Sequence, residues 1–496
     1  MEEPSATGSA TQPSPREQAV RREPSALRCA LIGLVGAIAL AVAATGVGDL
    51  PATGALGNWP RLWWSPGRPW PATALAYFGL VVLGGAWWRL RAVVRGRPEG
   101  LRTVLRTASV WAVPLLLAPP LQSRDLYSYL AQGVMFREGV DPYRNGPAAL
   151  GGPLAADVSP IWQHAPAPYG PVFLVVAAAV TALTASHIVL AVIGMRLAMA
   201  AALAGTAACT VALARRFRVD PADAVWLAVA NPLTLVHIVS GAHNDVLIVF
   251  LMAAGVLLAV RDRPLAAAVV VGLAILVKAP AGLALLVVVP AMARRLRGRW
   301  TMPRAALAVG AACGATVLAV TWLMGTWYGW VAALSDTAKV RNGLSATTDA
   351  GVVLDWLLGS FGVHGWSSVP VLRAAGLVTA VILIPVLLLR HRGRPLYALG
   401  LILTGLVLLG PVVHPWYLLW GLVPLAAATG EERIRVAAAW GSLGLVVYPM
   451  PWGEGFTPDL PLAGIGVAVA FALLLAAMPG WRRRASGPAG VAAAQA

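Results

Sequence analysis

Charge is scarce in this chain. Asp, Glu, Lys and Arg together make up 12% of 496 residues, against the roughly 25% typical of a soluble domain. That shortage excludes an ordinary water-facing surface for most of the chain, and the 58% of hydrophobic residues makes lipid its main solvent. Acids are scarcer than bases, 21 against 38, for a formal charge of +17. The arginines, however, sit at the ends of apolar runs and not in an aromatic-studded basic patch. A nucleic-acid partner is therefore excluded, and membrane orientation explains the excess. Cysteine is limited to Cys29, Cys209 and Cys313, all inside apolar runs at spacings that fit no metal site or disulfide framework. Lysine is limited to Lys278 and Lys339.

What is present is a succession of apolar runs of spanning length, about 20 residues each. Residues 1–28, rich in Pro, Ser, Glu and Arg, read as a disordered cytoplasmic tail. The run 29–47 is long for a signal-peptide core and lacks a small-residue cleavage site, so it reads as the first retained span. Further spans are expected at 71–89, 103–120, 187–214, 222–240, 243–260, 264–278 and 280–294, then at 303–325, 370–390, 396–412, 415–429, 432–449 and 460–480. Pro280 or Pro411 could merge two of them, which leaves about 13–14 transmembrane helices in one domain, 29–480, before a second cytoplasmic tail at 481–496.

Short cytoplasmic connections should collect arginine. With the N-terminus inside, they hold Arg89, Arg91, Arg95 and Arg97, then Arg215, Arg216 and Arg218, then Arg294 to Arg299, Arg390 to Arg394 and Arg482 to Arg484. The pattern holds only if 170–184 lies along the interface without crossing, a depth that suits Tyr169 and Phe173. Arg61 and Arg68 are exceptions. The extracytoplasmic face then owns the long connection 121–186, including interfacial helices, a second at 326–369 and a shorter one at 449–459. The fold class is an all-α polytopic membrane protein with function concentrated in these outer loops.

The first outer loop opens with Ser123-Arg124-Asp125-Leu126-Tyr127-Ser128-Tyr129. Asp125 either caps the following helix or accepts a proton from a sugar hydroxyl at the membrane surface. Gly139 to Tyr143, with Asp141, follows, and then Trp162-Gln163-His164 and Ala167-Pro168-Tyr169-Gly170-Pro171. A second outer cluster is His243-Asn244-Asp245, read either as binding sugar hydroxyls or phosphate or as a cap beside a solvated His. Lys278 lies inside an apolar run and either meets a lipid-borne phosphate or snorkels to the headgroups. Lys339 and Arg341 are further phosphate candidates. His414-Pro415-Trp416-Tyr417 opens a later span. His414 is a candidate for the donor pocket, whereas Trp416 and Tyr417 read as an interfacial aromatic belt. Asp349, Asp355, Glu454 and Asp459 have no diagnostic neighbourhood.

These motifs, a first outer loop bearing an Asp and an interfacial helix opening on a Pro-aromatic pattern, resemble the GT-C class of membrane glycosyltransferases. More narrowly, Asp125 to Tyr129, Gly139 to Tyr143, Pro160-Ile161-Trp162 through Pro171, and His243-Asn244-Asp245 resemble the actinobacterial polyprenol-phosphomannose-dependent α-1,6-mannosyltransferases of the MptB type, over most of the chain. The resemblance implies a GT-C-like bundle and mannose transfer from polyprenyl phosphomannose to a mannosylated glycolipid acceptor, with inversion. Asp125 is then the base, and Arg124, His243, Asn244, Asp245, Lys278, Lys339, Arg341 and His414 hold the donor. Tyr127, Tyr129, Asp141, Tyr143, Trp162, His164 and Tyr169 line the acceptor pocket.

No βαβ pattern or phosphate-cradling Gly motif of nucleotide-sugar enzymes is present, which favours a lipid-borne donor. No cofactor and no metal are expected, because positioned cations can neutralise a monophosphate leaving group. Two alternatives stay open at this point: another polyprenyl-phosphate sugar such as arabinose, and a secondary transporter, which would carry repeated halves and broken helices.

Overall fold

Backbone that faces lipid must close its hydrogen bonds within its own segment, and every regular element among the described residues is a helix. The computed structural model describes residues 25–48, 51, 70–326, 328–337 and 343–448. The chain opens with α1 (Ala26–Val47), α2 (Trp70–Val94) and α3 (Gly100–Leu117). The first long connection then holds α4 (Asp125–Arg137), a short α5 (Gly152–Asp157) and α6 (Pro171–Leu183). A 29-residue α7 (Ile188–Arg216) leads to α8 (Pro221–Ala228), α9 (Pro232–Ser240), α10 (Asp245–Val260) and α11 (Pro264–Ile275). A 3-10 turn (Ala279–Ala284) runs into α12 (Leu285–Ala293), followed by α13 (Thr301–Leu323), α14 (Gly329–Thr337), α15 (Ala346–Ser360) and α16 (Val369–Arg390). The last described elements are α17 (Pro395–Leu409), a 3-10 turn (Pro415–Tyr417), α18 (Leu418–Ala428) and α19 (Glu432–Val447).

Five helices, α1, α2, α7, α13 and α16, have the length and apolarity to cross a bilayer. The pair α8 and α9 adds a sixth if counted as one bent span, and six shorter apolar helices accompany them. The expected segments coincide with these elements to within a few residues. The first helix begins at Ala26, where the Ser25 hydroxyl accepts the Arg28 amide. The segment 460–480, Arg61 and Arg68 lie outside the described residues.

The expected single span 222–240 is broken. Its halves bend by 46° at Asn231-Pro232, where proline supplies no N–H and crowds the preceding turn. Asn231 accepts the Leu233 amide and donates to Leu227 O, while the Thr234 hydroxyl donates to Ala228 O, so the freed polar groups find partners. Beyond the break, Leu235–Ser240 winds as a π-helix. The 170–184 stretch forms α6, whose 13 residues reach only about 20 Å, short of a 30 Å hydrocarbon core. It lies against α4 so closely that a methyl at Gly133 would meet the Ala177 carbonyl at 2.6 Å. The second long connection is largely helical, in α14 and α15.

At the far end of these helices an ion cluster ties α2, α8 and α19 together. Arg91 binds Asp223 at 3.0 Å and Glu432 at 2.7 Å, and Arg435 binds Asp223 at 3.0 Å. Beside it Trp87 and Trp226 stack at 4.4 Å, and each indole N–H donates to the other residue's carbonyl.

Candidate active site

The opposite ends of α9, α10, α11 and α18 converge with the start of α4. Asp125 is the first helical residue of α4, not its cap, and its amide donates to the Ser123 hydroxyl at 3.0 Å. Between α9 and α10 the chain turns through Ala242, which holds a left-handed φ of 53°, a conformation that costs an L-residue about 1–2 kcal/mol. The turn delivers His243 into the interior, where its Nδ1 lies 3.5 Å from Asp125 Oδ2 and 3.4 Å from the Tyr129 hydroxyl. His243 is wholly buried, whereas the Asp125 side chain keeps 15% exposure. Of the two, the carboxylate is the one a substrate can reach.

Aromatic rings fix this arrangement. The Trp416 indole stacks on His243 at 3.4 Å and on His414 at 4.7 Å. Tyr129, Tyr169 and Phe173 pack edge to face at 4.9–5.4 Å. Burial with the nearby Lys278 charge lowers His414 to about 3. The His414 ring is therefore a neutral hydrogen-bonding group. Burial pushes the Tyr129 and Tyr169 phenols upward, so both keep their protons.

A second charged pair lies alongside. Asp245, the first residue of α10, is fully buried, and both its oxygens accept from Lys278 Nζ at 3.0 Å. Trp420 Nε1 donates to the same carboxylate at 2.7 Å. The ammonium also faces the rings of Tyr417 at 4.4 Å and of Tyr169 and Trp420 at 5.5 Å, a cation–π environment. Lys278 is thus held inside the protein and does not snorkel. Gly170 explains how its loop is placed: the 169–172 segment crosses it, with Gly170 N–H donating to Val277 O and Val172 N–H to Leu276 O. A side chain at Gly170 would put Cβ 2.2 Å from the Leu276 oxygen.

Asp125, Tyr129, Tyr169, His243, Asp245, Lys278 and His414 therefore come together. Asn244 is buried beside them with both side-chain atoms unpartnered, and it makes no capping bond. The cap and solvated-His reading of this motif does not survive that geometry. Arg124 sits half-buried next to Asp125. Tyr127 is buried in the core, within electrostatic range of Arg196. Others fall elsewhere. Asp141 accepts the Tyr143 amide at 2.8 Å and pairs with Arg144 at 3.4 Å, the pattern of a turn-forming Asp. Tyr143 packs on Leu276 and Trp330, Trp162 lies against the main core, and His164 is exposed. Lys339 and Arg341 lie outside the described residues.

Four residues were missed or misread in the sequence. Trp416 and Tyr417, assigned to an interfacial belt, are part of the cluster. Trp420 and His237 join them, the latter with neither ring nitrogen partnered and its ring 5.8 Å from His243. The signal for His237 was an ionisable residue inside an apolar run, whereas Trp420 carried none. Among the described residues no three His, Cys, Asp or Glu side chains gather as a metal-ligand set.

Residues 30–294 match a family model described as alpha-(1->6)-mannopyranosyltransferase, N-terminal domain, and residues 344–478 match an MptB C-terminal domain. The chain is 34% identical, over 90% of its length and 88% of the relative's, to a protein of Mycolicibacterium smegmatis named probable alpha-(1->6)-mannopyranosyltransferase. It is 36% identical to alpha-(1->6)-mannopyranosyltransferase A of Mycobacterium tuberculosis, over 75% of this chain and 73% of that one. It is 32% identical to alpha-(1->6)-mannopyranosyltransferase B of Corynebacterium glutamicum, over 91% and 81%. No solved structure matches the chain.

Proposed function

The chain belongs to the alpha-(1->6)-mannopyranosyltransferase family and is a membrane glycosyltransferase, and from that premise we propose that it transfers mannose from polyprenyl phosphomannose to a mannan acceptor on a glycolipid, on the extracytoplasmic side. The observation that carries this reading is the partly exposed Asp125 carboxylate, held against the buried His243 ring at 3.5 Å where several short helices end.

Those helices give the depth. By the positive-inside rule the arginine-bearing turns at 261–263 and 390–394 support a reading in which one end of α10, α11 and α17 meets the inner surface. From there α10 (16 residues) and α11 (12 residues) rise only about 24 and 18 Å. In a core about 30 Å thick, His243, Asp245 and Lys278 then lie roughly 6–12 Å below the outer boundary. A polyprenyl donor reaches that level sideways, its tail in the hydrocarbon, while the acceptor glycan enters from water.

Asp125 takes the proton of the acceptor 6-hydroxyl as its oxygen attacks the anomeric carbon. The new C–O bond forms as the bond to phosphate breaks, and the electron pair leaves with polyprenyl phosphate. In-line displacement converts a β linkage into an α one. His243, neutral and ringed by Trp416, orients the carboxylate. Lys278, held by Asp245 at 3.0 Å and facing the Tyr417 ring, sets a fixed positive charge beside the donor phosphate, whose charge is otherwise met by Arg124. Transfer proceeds without a resident metal, because cations of the chain neutralise the leaving group.

The test is a membrane assay with radiolabelled polyprenyl phosphomannose, comparing the unaltered protein with Asp125→Asn. A general base contributes about 10²–10⁴-fold, so transfer should fall by that much while membrane insertion is kept. Retained activity refutes the assignment. Transfer from an arabinosyl donor alone refutes the sugar, and solute uptake by vesicles without transfer refutes the reaction.

A further inference from the structure

An arginine inside an apolar helix is expensive and persists only where many acceptors meet it. Arg196 stands nine residues into the 29-residue α7 and is 3% exposed. Its guanidinium is spent on backbone carbonyls. Nε and Nη2 donate to Ser240 O at 3.0 and 2.8 Å, and Nη1 donates to Leu116 O at 2.9 Å and to Ala118 O.

These carbonyls belong to two helix ends. Leu116 and Ala118 close α3 just before Pro119-Pro120, and Ser240 closes α9. Terminal carbonyls lack helical partners and carry the negative pole of the helix dipole, so one planar cation satisfies both ends at once. A second tie joins the same strands, because the Leu121 amide donates to the Ser240 hydroxyl at 3.3 Å. From Ala118 the chain runs seven residues to Asp125, and from Ser240 it runs three to His243.

We propose that Arg196 is a positioning residue, locking the ends of α3 and α9 together so that Asp125 and His243 meet at the distance transfer needs. The proposal rests on the reading of Asp125 as base, and it concerns geometry alone: Arg196 touches no reacting atom.

Arg196→Lys keeps a cation but not the fork that holds two strands, and misplacement of about 1 Å costs roughly 10²-fold in rate. In detergent-solubilised protein, kcat for mannose transfer should fall about 10–100-fold, with KM for polyprenyl phosphomannose within about threefold and Arg196→Met slower still. The discriminating measurement is the His243→Gln background. If Arg196 works through the Asp125–His243 contact, adding Arg196→Lys to His243→Gln should cost less than about threefold more, far below its effect alone. Equal losses in both backgrounds, or a rise in KM with kcat unchanged, overturn the proposal. Ser240→Ala severs only the tie to Leu121 and leaves the carbonyl in place, so it remains informative if the arginine variants do not fold. It should lower kcat about 3–10-fold, and an unchanged kcat overturns the proposal. A fully active Asp125→Asn protein would instead remove the reading of Asp125 and leave the Arg196 measurements to be judged on their own.

Discussion

Lys278→Met should destabilise the protein more than any other single change in the site. Asp245 is fully buried, and two of its three hydrogen bonds come from Lys278, the third from Trp420. Methionine has nearly the volume of lysine, so packing is preserved while the carboxylate loses its counter-charge. Breaking a buried pair from one side costs about 3–5 kcal/mol, whereas neutralising both partners is often close to neutral. Asp245→Asn added to Lys278→Met should therefore recover much of the loss, with a coupling energy of about 2 kcal/mol or more. The assay is the unfolding midpoint of the detergent-solubilised protein, read by tryptophan fluorescence across the four members of the cycle. Radiolabelled transfer is measured on the same samples. The double variant should regain stability and stay inactive, because the positive charge proposed to face the phosphate is gone. A Lys278→Met midpoint equal to that of the unaltered protein, or a double variant less stable than Lys278→Met, would refute the account of this pair.

Gly170→Ala should cost about 1–3 kcal/mol of stability and lower kcat at least tenfold, because its Cβ would sit 2.2 Å from the Leu276 oxygen on the loop that carries Lys278; an unaltered rate would sink that argument. His414 is neutral in the fold, its pKa lowered to about 3, and titrates near 6.5 when unfolded, so below about 6.5 the unfolded chain binds more protons and stability falls as pH drops toward about 3. Melting midpoints should be level above pH 7.5 and decline below 6.5, with His414→Gln flattening part of the decline, and midpoints that rise on acidification would contradict it. Arg91→Met leaves the buried Asp223 to Arg435 at 3.0 Å and the half-exposed Arg95 at 3.8 Å and should lower stability by about 1–3 kcal/mol without changing transfer per folded molecule, which quantified protein in the radiolabel assay would check.

The helices were legible because a span is a local property, set by about 20 apolar residues and arginines at one end. The break at Asn231-Pro232 was written as plainly, but an apolar run reads continuously through a proline when neighbouring groups can satisfy the freed backbone. Asp125, His243 and Lys278 could be picked out because an ionisable group at membrane depth needs a partner. The partners themselves could not: Lys278 and Asp245 are 33 positions apart, and only packing brings them together. Asp141 and His164 lie apart from the cluster, one in a turn and one exposed, since polar residues in a loop serve turns and solvent as often as substrates. Trp416 and Tyr417 were under-read for the converse reason. An aromatic belt and an aromatic pocket have one composition, and burial against His243 and Lys278 alone tells them apart. Arg196 carried the clearest unused signal, a lone charge deep in a span, hidden by the habit of reading arginine as an inner-surface marker.

The two carboxylates in this site divide their tasks through environment, as paired acids commonly do. Asp245 is sealed off, saturated by an ammonium and an indole, and any proton it took would break the pair that holds α10 to the Lys278 loop. It serves as a fixed anion that keeps a lysine charged and aimed within a low-dielectric recess. Asp125 is instead partly exposed at a helix start, beside the buried His243 ring at 3.5 Å. On the proposed mechanism an uncharged ring there keeps the carboxylate basic, whereas an imidazolium at 3.5 Å would stabilise the anion and weaken it as a base. The stacked Trp416 and the Arg196 tie act on the same contact from opposite sides, one restraining the ring and the other the backbone that carries it. If Asp125 is the base proposed above, its reactivity is set by what its surroundings withhold from it, and the surrounding residues are where a loss of rate without loss of the acid should first be found.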